Sequence, residues 1–237
     1  MIRVDCPRLP TNLQAYLDRQ QAHAKPWNSL AGSTPARAVK QALVEAFHHK
    51  CGYCERIEAQ TVDHFVPQTD LYARWDWENY VLACDVCQSK KLDHQPQDAQ
   101  GRRMVNPRHD EPLSFLYFDF ETGAVTPMPT SEITLARGRI TTQLLGFDQR
   151  AALQDERRRR FLEVIGCILR IVQPQSQQDA AAAWDQLADH LQAGAPYLGM
   201  IRQFILRSSK YTPLLEALRE ARPDFDSLIA HWCLPLD

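Results

Sequence analysis

Two Cys-x-x-Cys pairs constrain this chain more than any other feature: Cys51-Gly52-Tyr53-Cys54 and Cys84-Asp85-Val86-Cys87. Four thiolates are the ligand set of one tetrahedral structural Zn²⁺, so Cys51, Cys54, Cys84 and Cys87 are expected to meet at a single ion. Zinc ribbons usually place about 15–20 residues between such pairs. Here residues 55–83 intervene, so the connecting loop must carry something besides a turn. It carries Val62-Asp63-His64-Phe65-Val66-Pro67 and Trp77-Glu78-Asn79-Tyr80-Val81-Leu82, and the second pair runs on into Gln88-Ser89-Lys90-Lys91.

The order Cys-x-x-Cys, Asp-His, Asn, then Cys-x-x-Cys ending in Lys resembles the HNH motif of the ββα-metal endonucleases. That resemblance implies an α+β fold: a hairpin and a short helix around one catalytic divalent ion, with a separate zinc pinning them. It makes His64 the general base, a role suited to an imidazole that titrates near neutrality. It makes Asp63 a hard carboxylate ligand for Mg²⁺ or Mn²⁺. Asn79 becomes a positioning residue whose amide bonds the loop behind the histidine.

Gln88 departs from the pattern, because its position normally holds His or Asn as the second ligand. Its amide oxygen can still coordinate, on a stem one methylene longer. Lys91, about one helical turn on, is expected to hold the scissile phosphate, and Lys90 to be a solvated charge. Outside such a motif an Asp-His pair is more often a core or solvated histidine, Asp63 could cap the loop, and Asn79 could be a turn asparagine. Strand alternation would send Asp63 and His64 to opposite faces, and the resemblance implies that the strand ends there. His48, His49 and His94 flank the knuckles as competing ligands, and His94 could compensate for Gln88.

Among seven cysteines, Cys6, Cys167 and Cys233 stand alone, which fits a reducing compartment and one metal site better than a disulfide framework. The start of the chain lacks an apolar leader, and no segment reaches the roughly 18 apolar residues of a membrane span, so a cytoplasmic location and no membrane are expected. The net charge is -2, and residues 51–110 hold seven Lys/Arg against ten Asp/Glu. Such a module should not bind nucleic acid tightly by electrostatics alone. The basic run Arg157, Arg158, Arg159 and Arg160 is the single conspicuous one and, beside Lys91, a candidate nucleic-acid or phosphate contact, against the commoner solvated helix face.

Along the chain, helical spacing predicts a helix over 11–24 behind a Thr11 or Asn12 cap and stopped by Pro26-Trp27. A second, behind Ser33-Thr34-Pro35, buries Val39, Leu43, Val44 and Phe47. Strands are expected over 56–66 and 79–83, a helix from near Gln88, and a hairpin over 113–126 that extends the sheet or packs on it. Helices follow over 132–145, 149–172, 179–192, 196–208, 212–221 and 223–232, with a polar linker at 173–178 as the flexible joint. Two regions result: residues 1–130, with N-terminal helices, the zinc-bound module with its small antiparallel sheet, and the hairpin; and the all-helical 131–237.

The wider arrangement, including Asn106-Pro107 before the hairpin and the helical tail, is similar to the HNH subunits of Septu-type and retron-linked anti-phage defence systems. That resemblance implies a nucleic-acid substrate, DNA before RNA, and an ABC-type ATPase partner. A zinc-stabilised adaptor with a degenerate site, and a stand-alone restriction nuclease, are the alternatives.

Overall fold

A computed structural model describes residues 1–23, 25, 32–57 and 59–232. Its two compact units are Met1–Tyr117 with Val125–Gln149, and Phe118–Ala124 with Arg150–Asp237. The division differs from the expected 1–130 and 131–237, because the helix after Ser131 belongs with the first unit.

In the first unit, α1 (Thr11–Ala22) has Pro10 at its cap position and no side-chain cap, so neither Thr11 nor Asn12 serves as one. The expected stop at Pro26-Trp27 lies outside the described residues. Helix α2 (Thr34–Ala46) starts as its sequence demands: the Ser33 hydroxyl accepts from Ala36 N, and proline occupies the first turn. Its apolar face, Val39, Leu43 and Val44, is buried together with Phe47.

The strand expected over 56–66 is realised only as β1 (Thr61–His64). Upstream residues are committed to the first knuckle instead, where Cys51 N bonds Arg56 O and Ile57 makes an isolated bridge to Lys50. β1 pairs antiparallel with β2 (Tyr80–Ala83), Thr61 opposite Ala83 and His64 opposite Tyr80. Asn79 lies in a 3₁₀ turn capped by Asp76 rather than in the strand. Helix α3 (Asp85–Lys91) begins at Asp85, ahead of the expected Gln88, with Cys84 at its cap, so the second knuckle is itself the helix start.

The hairpin strands β3 (Leu116–Phe118) and β4 (Val125–Pro127) form a separate two-stranded sheet and do not extend β1–β2. Ser131 starts α4 (Glu132–Leu144) with a reciprocal capping box to Thr134, and Gly146 follows at φ +57°.

Among the described residues the second unit is mainly helical apart from the hairpin tip: α5 (Ala151–Val172), α6 (Gln177–Leu191), α7 (Leu198–Arg207), α8 (Thr212–Ala221) and α9 (Phe225–Ile229). Phe120 stacks on Phe161 at 4.9 Å, with Phe204 and Tyr211 edge-on to both. Ser176 caps α6, which takes Gln177 and Gln178 out of the expected linker. Pro196 does not open α7, because Tyr197 stands between them in the left-handed region. No helix among the described residues is long and apolar enough to cross a membrane.

Candidate active site

The four knuckle cysteines come together, their Sγ atoms all within 4.8 Å of one another. Cys54 Sγ and Cys84 Sγ lie 3.7 Å apart. A tetrahedral zinc with bonds of about 2.3 Å would hold its sulfurs about 3.8 Å apart, so the cage fits that ion. Hydrogen bonds from Cys51 lead the causes that hold the Cys54 thiol down at about 7 and the Cys84 thiol well below its ordinary value. Gly52 is required by proximity: a Cβ there would lie 2.5 Å from Phe47 Cε1 and 2.8 Å from Val81 Cγ1. Only a bare Cα lets the knuckle lie against β2, where Gly52 N bonds Leu82 O.

This clasp sets the end of β1, where Asp63 and His64 are both buried. The strand stops at His64, and both residues, with Gln88 of α3, line one cavity of about 630 Å³. His64 Nε2 is 2.9 Å from the carbonyl of Arg74, which also accepts from Tyr80 Oη at 2.9 Å. A carbonyl oxygen only accepts, so Nε2 carries the proton and Nδ1 is the basic nitrogen. Burial, partly offset by the Arg74 bond, lowers the histidine from 6.5 to about 4, so the ring is neutral at pH 7. Tyr80 packs edge-on against it, centroids 5.1 Å apart.

Asn79 holds the loop that follows. Its Oδ1 accepts from Val66 N at 2.7 Å, while Nδ2 donates to Val66 O and Ala73 O at 2.8 and 2.9 Å. It does not line the cavity that holds His64. Arg108 braces the same turn from behind, donating to Trp77 O and Tyr80 O, pairing with Glu78 at 3.0 Å and lying over the Trp77 ring.

Lys91 has a different place from the one its motif position suggests. It is fully buried, donating to His64 O at 2.7 Å and pairing with Asp63 Oδ2 at 3.1 Å. A lysine enclosed in this way cannot reach a phosphate, and it fixes the strand end instead. Tyr53, inside the first knuckle, donates its hydroxyl to Asp63 as well. Burial raises the Asp63 pKa, against the pull of Lys91.

Other expected contacts are also redistributed. Arg157 is buried with its guanidinium over Phe118, and Arg160 pairs with Glu163, leaving Arg158 and Arg159 as the exposed members of the basic run. His48 and His49 form the left-handed turn after α2, and His94 is exposed beyond α3; none of the three lines the cavity. Lys90 is exposed.

Sequence reasoning missed Lys40 and Asp93, which line the cavity with exposed side chains. Lys40 is the one Lys or Arg among the described lining residues. Its position on the polar side of a capped amphipathic helix was readable; the cavity it shares with Asp63 and His64 was not.

Residues 51–94 match the family model described as HNH endonuclease, and this segment is accordingly an HNH module. "Septu protein PtuB" of Bacillus thuringiensis is 35% identical over 85 residues, covering 33% of this chain and 32% of that protein. The match thus spans about a third of the relative's length. No solved structure matches the chain.

Proposed function

We propose that this chain is a metal-dependent endonuclease that hydrolyses phosphodiester bonds of DNA as the effector of a Septu-type or retron-linked anti-phage defence system in the cytoplasm, working with an ABC-type ATPase. The observation that carries the proposal is the convergence of Asp63, His64 and Gln88 on one cavity, with the histidine held neutral and Nδ1 its basic nitrogen. The HNH match over 51–94 and the similarity to a Septu protein support the nuclease and defence assignments.

Hydrolysis requires a deprotonated water in line with phosphorus and charge relief on the phosphate oxygens. His64 Nδ1 takes the proton from water as its oxygen attacks phosphorus, the P–O3′ bond breaks, and the departing O3′ takes a proton from solvent, leaving 5′-phosphate and 3′-hydroxyl ends. The Arg74 carbonyl on Nε2 stabilises the imidazolium that forms, and Asn79 keeps that carbonyl's loop in place. Asp63 and Gln88 would hold the Mg²⁺ or Mn²⁺, which supplies neutralisation of the non-bridging and leaving oxygens. Lys40, exposed at the cavity, holds a flanking phosphate in the role that buried Lys91 cannot take. The cysteine cage holds structural Zn²⁺.

One observation favours the adaptor reading: Asp63 is already shared by Lys91 and Tyr53, and Gln88 offers only an amide. Cleavage titrated against Mg²⁺ and Mn²⁺ decides between them. A nuclease should lose apparent ion affinity in Gln88→Ala and keep or gain activity in Gln88→Asn; inert wild type with an active Gln88→Asn would establish a disabled site.

A further inference from the structure

The ion site proposed above has an unresolved charge balance. Asp63 contributes one negative charge, and the Lys91 ammonium 3.1 Å from its Oδ2 cancels it. Tyr53 occupies the same oxygen, and Gln88 is neutral. A hard divalent cation held by Asp63 and Gln88 alone would meet almost no net protein charge, whereas Mg²⁺ sites use one or two carboxylates beside waters and substrate phosphate.

We propose that Asp93 is the second carboxylate of the divalent-ion site, coordinating the ion directly or through one water. The inference rests on the nuclease reading and deepens it. Asp93 is exposed, two residues past the end of α3, and lines the cavity with Asp63, His64 and Gln88.

The chain is turned to bring it there. Leu92, between the helix and Asp93, adopts φ 47° and ψ -142°, a combination that essentially only glycine takes without strain. Its own side chain is 59% exposed, so burial of the leucine does not account for the conformation. The turn is fixed by Leu92 N to Gln88 O at 2.8 Å and His94 N to Lys91 O at 3.1 Å. A helix continued through residue 92 would carry Asp93 round the helix axis by about 100° per residue instead.

Asp85 lines the same cavity, from the first turn of α3 rather than from the turn at Leu92. The two aspartates are therefore a matched test and control.

The experiment is Mn²⁺ binding to the zinc-loaded full chain, followed by electron paramagnetic resonance of the free ion, for wild type, Asp93→Asn, Asp93→Glu and Asp85→Asn. Zinc content and melting curves are recorded for each. The expected result is one Mn²⁺ site in wild type, weakened at least about tenfold in Asp93→Asn and partly recovered in Asp93→Glu, with Asp85→Asn near wild type. Equal Mn²⁺ affinity in wild type and Asp93→Asn overturns the assignment and leaves the nuclease reading standing. Wild type that neither binds Mn²⁺ nor nicks plasmid overturns both.

Discussion

Replacing Lys91 by Met removes one charge from a pair buried on both sides. Lys91 is 0% exposed, Asp63 is 5% exposed, and the lysine also satisfies the His64 carbonyl at 2.7 Å. The variant leaves a buried carboxylate with only the Tyr53 hydroxyl as a strong donor, a change that typically costs about 3–5 kcal/mol. At about 2–4 °C per kcal/mol for a chain of this size, the Tm of the first unit should fall by about 6–20 °C. Lys91→Met/Asp63→Asn should recover most of that loss, because no unpaired charge remains. Mn²⁺ should stabilise Lys91→Met more than wild type, since a bound dication replaces the missing ammonium. The assay is thermal melting of the zinc-loaded chain with and without Mn²⁺. Had Lys91 been a solvent-facing phosphate contact, the substitution would lower nucleic-acid affinity and leave melting within about 1 °C of wild type, as surface changes do; that pattern would refute the reasoning.

Because burial holds His64 at about 4, kcat/KM measured against pH should show no acidic limb near the ordinary 6.5. The sign for stability follows from the same depression: the fold binds this proton more weakly than the unfolded chain. The contribution is present above 6.5 and lost as pH falls from 6.5 toward 4, to an extent of about 3 kcal/mol at most, readable in denaturant melts across that range. Cys84→Ser should lose zinc and cooperative melting together, measured by metal analysis and calorimetry, since a structural zinc contributes folding energy. Lys40→Ala should weaken DNA binding and flatten its salt dependence by about one ion, leaving melting unchanged; an unaltered salt slope removes Lys40 from the substrate path.

The knuckles, the antiparallel pair of strands and the capped helices were legible because each rests on a local signal. Ser33 and Ser131 cap the helices they were expected to cap, and the four thiols meet as their spacing demanded. The strand before Asp63 was read too long because β propensity does not register a backbone already committed to the knuckle through Arg56. Motif position placed Lys91 at a phosphate, but whether a lysine at a helix end points outward or into the strand is decided by tertiary packing. Tyr53, Arg108 and Asp93 carry no sequence signal of their own, and Lys40 carries only its place on the polar side of α2. Tyr53 and Arg108 matter through partners at distant chain positions, Asp63 and the turn at Trp77–Tyr80, while the other two matter through the cavity they share with His64.

The central claim is that His64 activates water in a working nuclease site. Its most direct measurement is plasmid nicking in Mg²⁺ or Mn²⁺ by wild type and His64→Ala, at equal zinc content and with matched melting curves, both in the presence of the proposed ATPase partner. Loss of a general base should lower the rate by about 10² to 10⁴ while DNA affinity is retained. Equal cleavage by the two proteins would contradict the assignment of His64, and absence of cleavage by wild type with either ion would contradict the nuclease itself.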